Sequence, residues 1–166
     1  MSRAFVKEPD GDQVSDDQPE WPISTHINYV TAYGLEQLNN RREHVLKEQN
    51  ILAEDLDNMA AKVSLNQLGR ELRYLNARIA SAQLIRPTDP HTEIVGIGST
   101  VTVLDDDDTS YLFTIVGEDE ADIKLAKISW VSPLANALLD KHLGDVVTWK
   151  RPMGNLDVEI IKITIP

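Results

Sequence analysis

The chain has no cysteine among its 166 residues, which removes disulfides, thiolate metal sites and a cysteine nucleophile from consideration. That absence suits a cytoplasmic protein. No run of eighteen apolar residues occurs, so no membrane span is expected. The first 25 residues hold Arg3 and Lys7 with no apolar block behind them, which argues against a secretory signal. Positive charge is scarce: 16 Lys and Arg stand against 27 Asp and Glu, for a net charge of −11. Because phosphate neutralisation by Lys and Arg supplies most duplex affinity, independent DNA binding is not expected, and a partner with basic surfaces is. The four histidines, His26, His44, His91 and His142, form no i, i+4 pair, so neither zinc nor a catalytic triad is indicated.

The acid excess is uneven. Residues 1–30 hold six acids against two bases, 31–86 seven against eight, and 90–166 thirteen against six, with Asp89 completing the count. The near-neutral middle is also where apolar residues recur at spacings of three and four. Leu65, Leu68, Leu72, Leu75, Ile79 and Ala82 form one such series, and Leu35, Leu38, Val45, Leu52, Leu56 and Met59 another, with Arg42 and Gln49 at two of its inner positions. Two such helices in succession predict an antiparallel coiled-coil hairpin over 29–86. The seam reverses near Asn58, which puts Glu54, Asp55 and Asp57 at the turn. Arms of about 26 residues would project roughly 39 Å. Thr31 is the expected N-cap, and the second arm is expected to run to Ile85 and Arg86 before Pro87 and Pro90 end it.

Residues 1–28 read as a flexible acidic leader, with Trp21, Ile23 and Ile27 packing against the base of the hairpin. Residues 87–92 read as a linker. Over 93–166 the period changes to alternation: Val101, Val103, Tyr111, Phe113 and Ile115 indicate strands joined by a turn at 105–110. A further strand is expected over Ile123 to Trp130, then a short helix capped by Ser132 with Pro133 at its first position, then strands at Val146–Trp149 and Leu156–Ile165. About five short strands around one helix make the class α+β. The run Asp105 to Asp108 lacks the spaced ligands and distal Glu of a calcium loop and reads as a turn.

Four short motifs follow in order in the C-terminal half: Val116-Gly117-Glu118-Asp119-Glu120-Ala121-Asp122, Ile128-Ser129-Trp130-Val131-Ser132-Pro133-Leu134-Ala135, Gly144-Asp145-Val146-Val147 and Pro152-Met153-Gly154. They resemble the C-terminal domain of the Gre (GreA/GreB) transcription elongation factors. The opening Met1-Ser2-Arg3-Ala4-Phe5-Val6-Lys7-Glu8 and the stretch Tyr29-Val30-Thr31-Ala32-Tyr33-Gly34-Leu35 resemble a GreB-like branch. The resemblance implies an FKBP-like antiparallel-sheet domain with one short helix, docking on bacterial RNA polymerase at the rim of its secondary channel, and a coiled coil that enters the channel. In the family, acids at the hairpin tip help hold a magnesium ion in the polymerase active site and promote cleavage of backtracked transcripts, a role that suits hard oxygen ligands. On that basis Glu54, Asp55 and Asp57 are the candidate cleavage-assisting acids. Val131, Ser132, Pro133 and Leu134 are the candidate polymerase-binding loop, and Arg70, Arg73 and Arg78 the candidate contacts to nascent RNA. The chain would then be no enzyme itself, at most stimulating the polymerase's own cleavage, with no cofactor beyond Mg²⁺ shared with that active site.

The family tip reads Gly-Asp-Leu-x-Glu-Asn-x-Glu-Tyr, whereas Glu54-Asp55-Leu56-Asp57-Asn58-Met59-Ala60 matches it only when one residue is removed and lacks the Glu-Tyr pair. Val131 stands where the family commonly has Asp or Asn. Each arm is also shorter by between one and two heptads, on the order of 10–20 Å of reach, while a carboxylate must come within about 2.1 Å of Mg²⁺ to coordinate it. A cleavage-inactive polymerase regulator or inhibitor is therefore the alternative, as is a short-hairpin adaptor resembling the nucleoside diphosphate kinase regulator. The FKBP-like fold also raises a peptidyl-prolyl isomerase, but two Phe in the whole chain make a proline pocket unexpected. Without the resemblance, the tip acids read as solvation of a helix turn and the arginines as a solvated face.

Overall fold

The computed structural model describes residues 18–55, 57–86 and 93–165. The leader as far as residue 17, the linker 87–92 and Leu56 lie outside the described residues.

The first arm, α1, spans Ala32–Leu52. The Thr31 hydroxyl accepts from the Gly34 amide at 2.9 Å, capping it as the sequence suggests. The second, α2, spans Met59–Ala80, and the Asn58 side chain accepts from the Ala60 amide at 3.0 Å. The arms hold 21 and 22 residues rather than about 26, so each extends roughly 32 Å. Met59, expected at an inner position of the first arm, instead opens the second and is exposed.

The second arm also ends earlier than expected. Ser81 caps it, and Gln83–Leu84 (β2) pairs in parallel with Tyr29–Val30 (β1). The reason is a competing ladder: the Gln83 and Ile85 amides donate to the Asn28 and Val30 carbonyls, both at 2.8 Å. Leu38, Val45 and Leu75 bury in the seam beside Val30, with Leu35, Leu68, Leu72 and Ile79 packed against them. A bidentate pair from Arg41 to Glu71, at 2.5 and 2.8 Å, ties the arms midway.

The second unit is a five-stranded sheet with one short helix, as expected. Its strands are Thr100–Asp105 (β3), Ser110–Val116 (β4), Lys127–Ser129 (β5), Val146–Trp149 (β6) and Leu156–Thr164 (β7), in the order β5-β4-β3-β7-β6. All neighbours are antiparallel except β4 and β5. The helix Pro133–Leu138 (α3) lays Leu134, Ala135 and Leu138 on Val101, Val103, Ile115, Val147, Val158 and Ile160 to form the core. The single strand expected over Ile123–Trp130 is instead a 3₁₀ turn, Ile123–Leu125, followed by β5. The Asp122 carboxylate accepts from the Lys124 amide at 2.9 Å, and Ala126 takes a left-handed φ of 54°, which breaks the extended run.

Asp105 organises the β3–β4 turn. Its carboxylate accepts from the amides of Thr109 at 2.8 Å and Asp107 at 3.0 Å and from the Tyr111 hydroxyl at 3.1 Å. These bonds, led by the Thr109 amide, hold its pKa below the usual carboxylate range. The stabilisation is complete above the unfolded value of about 3.9 and is lost as pH falls through the lower folded value. Asp105→Asn should therefore flatten the acid limb of the stability curve below about pH 4. Urea midpoints across that range check this, and identical acid limbs in both proteins would contradict it.

Candidate functional site

At the hairpin tip Glu54, Asp55 and Asp57 are all exposed. Backbone turns from Asp55 to Leu52 and from Asn58 to Asp55, at 3.2 Å each, reverse the chain. Asn58 does double duty, capping α2 through its oxygen while its Nδ2 donates to Asp55 Oδ2 at 3.2 Å. Asp55 is thus the one tip acid with a side-chain partner among the described residues. Among those residues no three acids or imidazoles converge closely enough to hold a metal ion.

Of the second-arm arginines Arg73 is exposed, as a solvated face would have it, whereas Arg70 and Arg78 are buried. Arg78 is 1% exposed. Its Nε donates to Asp119 Oδ2 at 2.6 Å and its Nη2 lies 3.6 Å from Glu118 Oε2. Arg70 is also buried, donating to Gln18 Oε1 at 2.7 Å, and Arg73 forms a bidentate pair with Glu20 at 2.5 and 3.1 Å. For Arg78 the expected RNA contact is corrected: its guanidinium is committed to the sheet unit.

That commitment is part of a clamp. The segment Gly117–Glu120 leads from β4 into a 3₁₀ turn, Glu118–Glu120, that lies against the base of the hairpin. Asp119 also hydrogen-bonds the Tyr74 hydroxyl, whose pKa is pushed up to about 12 by burial and by that bond. Glu120 takes the Thr31 hydroxyl and, at 3.0 Å, the Lys127 ammonium. Gly117 sits so close to Tyr29 that a Cβ there would meet its carbonyl oxygen at 2.3 Å. Arg78 is the buried charge of this clamp, and any arrangement that took it from Asp119 would strand a desolvated guanidinium.

The candidate docking loop follows β5 directly. Trp130, the residue before the loop, packs edge-on against Tyr29, ring centroids 5.1 Å apart. The Val131 amide donates to Ser129 Oγ at 3.3 Å, and Asn136 Nδ2 donates to the Val131 carbonyl at 3.1 Å. Ser132 Oγ caps α3 by accepting from the Ala135 amide at 3.2 Å. Pro133 is exposed, while Val131 and Ser132 are half-buried. Leu134, expected in the same surface, is corrected: at 5% exposure it belongs to the core.

A family model for the C-terminal domain of the transcription elongation factors GreA and GreB matches residues 89–165. The chain is 32% identical to transcription elongation factor GreB of Neisseria meningitidis, over 82% of its own length and 93% of the relative's. It is 35% identical to GreA 1 of Lactiplantibacillus plantarum, over 82% and 96%. The chain belongs to the GreA/GreB family. GreA of Maricaulis maris is a further relative, 36% identical over 71% of this chain and 76% of that one. Similar solved structures include a GreA/GreB elongation factor from Nitrosomonas europaea, at 25% identity and TM-score 0.41 over 82% of this chain and 98% of that one. Another is the GreA homologue Gfh1 of Thermus thermophilus, at 23% identity and TM-score 0.41 over 83% and 99%.

For this Gre-family chain the tip acids, the arm and the candidate docking loop lie at separate places, and the clamp joins the arm to the sheet unit that carries the loop. Glu118, Asp119 and Glu120 stand inside the first C-terminal motif, but nothing in their local spacing marks them as partners of the hairpin. The available signal was Arg78, which falls three residues after Leu75 on the seam side of α2.

Proposed function

We propose that this chain binds bacterial RNA polymerase at its secondary channel through the loop Val131–Pro133 and projects the hairpin inward to modulate elongation. The observation that carries the reading is the clamp. A probe can act at a distance only if its base is fixed to the docking unit, and Arg78, Tyr74 and Thr31 are held by Glu118, Asp119 and Glu120. Family membership supports the same partner. The chemistry of transcript cleavage would belong to the polymerase. Asp55, Asp57 and Glu54 would supply carboxylate oxygens to its Mg²⁺ and help position water, an electrostatic contribution that needs no metal site in this chain.

Arms of 21 and 22 residues favour a second reading, a channel-bound regulator that does not promote cleavage. The same length, about six turns, weighs against the much-reduced hairpin of a nucleoside diphosphate kinase regulator. A stalled, backtracked elongation complex with Mg²⁺ separates the two. If the tip reaches the active site, the wild type accelerates cleavage. Asp55→Ala with Asp57→Ala should then lower that rate by about 100-fold, the scale of losing positioned charge at a reacting centre, with polymerase affinity unchanged. A wild type that binds but gives no acceleration assigns the chain to the second reading. Absence of binding overturns both.

A further inference from the structure

The arginine face of the second arm is already occupied, by the chain itself. Gln18, Glu20 and Trp21 lie in step along Arg70, Arg73 and Tyr74. The Gln18 side-chain oxygen Oε1 accepts from Arg70 at 2.7 Å, and the Glu20 carboxylate sits in the Arg73 fork at 2.5 and 3.1 Å. The Trp21 ring lies 5.5 Å from the Tyr74 ring, tilted by 58°. Gln18, Glu20 and Trp21 belong to neither the ladder nor the seam that folds the hairpin, although Tyr74 itself packs against the seam. Their contacts also lie outside the clamp, apart from Tyr74, which the clamp holds through its hydroxyl and the strap touches through its ring.

We infer that Gln18–Trp21 is a built-in competitor, a strap that closes the Arg70–Arg73–Tyr74 face to single-stranded RNA until it lifts. The inference rests on the polymerase reading for its biological setting. Its chemistry rests on the three contacts. A carboxylate in a guanidinium fork and a ring on a tyrosine are the contacts that a phosphate and a base would make at the same side chains. The strap also sets acidic charge over the arm, which repels a polyanion before contact. Arg73 and Glu20 are 58% and 61% exposed, so the closure is shallow and reversible at Arg73, whereas Arg70 is buried. The fork also holds the Glu20 carboxyl below its usual pKa, so it stays charged through the neutral range.

The test uses the full chain with Gln18→Ala, Glu20→Gln and Trp21→Ala combined, and a fluorescein-labelled single-stranded oligoribonucleotide at low salt. One exposed ion pair and one aromatic contact together hold a cover down by about one order of magnitude, so the opened variant should bind about tenfold tighter than wild type. Adding Arg70→Ala and Arg73→Ala should abolish the gain. Glu36→Gln, which removes one negative charge elsewhere on the hairpin surface, should give little or none. Equal affinities for wild type and opened variant overturn the strap. So does a gain that survives loss of the two arginines, or one that Glu36→Gln reproduces in full. Core polymerase binding is measured beside it: wild type that fails to bind polymerase defeats the functional reading, whereas unchanged RNA affinity beside intact polymerase binding defeats the strap alone.

Discussion

Arg78→Ala should lower stability by about 3–5 kcal/mol, the cost of removing one partner from a buried ion pair. The guanidinium side chain is 2% exposed, and Glu118 and Asp119 beside it are 21% and 14% exposed. Truncation leaves two partly desolvated carboxylates without their counter-ion and empties the buried volume that the side chain fills. For a chain of this size each kcal/mol moves the melting temperature by about 2–4 °C, so a drop on the order of 10 °C is expected. Denaturant titration is the direct check. A loss under about 1 kcal/mol would place Arg78 among ordinary surface pairs. The effect should concentrate at the clamp: amide exchange should rise in Glu118–Glu120 and in β1 and β2 before it rises in β3 and β7.

Gly117→Ala should have the next largest effect, for a steric reason. Gly117 has φ −64°, which any residue adopts, so the requirement for glycine lies in close approach and not in backbone freedom. A Cβ would stand 2.3 Å from the Tyr29 oxygen and 3.4 Å from its carbonyl carbon, both backbone atoms that cannot rotate away. The segment carrying β1 must shift, and with it the edge-on support of Trp130. A cost of about 1–3 kcal/mol is expected. Because Tyr29 packs on Trp130, the residue before Val131, polymerase affinity should fall together with stability. A variant as stable as wild type would show that the hairpin base and the sheet unit tolerate separation.

Much of this arrangement was legible in the sequence wherever a single periodicity dominated. Leu38, Val45 and Leu75 keep helical spacing and bury as expected. Ser132-Pro133 announces α3 because a hydroxyl cap and a pre-set φ act within one turn. What escaped notice depends on partners far along the chain. The β1–β2 pair is two residues long on each side and carries no alternation to detect. Continuous helical spacing as far as Ala82 therefore made the second arm look longer than it is. Ile123 and Leu125 alternate like strand residues, yet both project into solvent because Asp122 caps a 3₁₀ turn there. Arg78 read as a surface arginine because its acids lie 41 residues away. The same holds for Arg70, whose partner Gln18 is 52 residues distant. The tip acids were visible as residues, but the arms that carry them hold 21 and 22 residues and not the roughly 26 that the spacing suggests, because the β1–β2 pair ends the second arm early.

The central claim is that a fixed loop docks the hairpin on polymerase. It is tested most directly by the affinity of the full chain for core RNA polymerase, comparing wild type with Pro133→Asp, which puts charge on the exposed face of that loop and leaves the core side, Leu134, untouched. The expected result is saturable binding of the wild type in competition with a secondary-channel ligand, and a loss of about tenfold or more in the variant, the scale of one disrupted hot spot, with unchanged melting. Wild type that does not bind, or a folded variant that binds equally well, would contradict it.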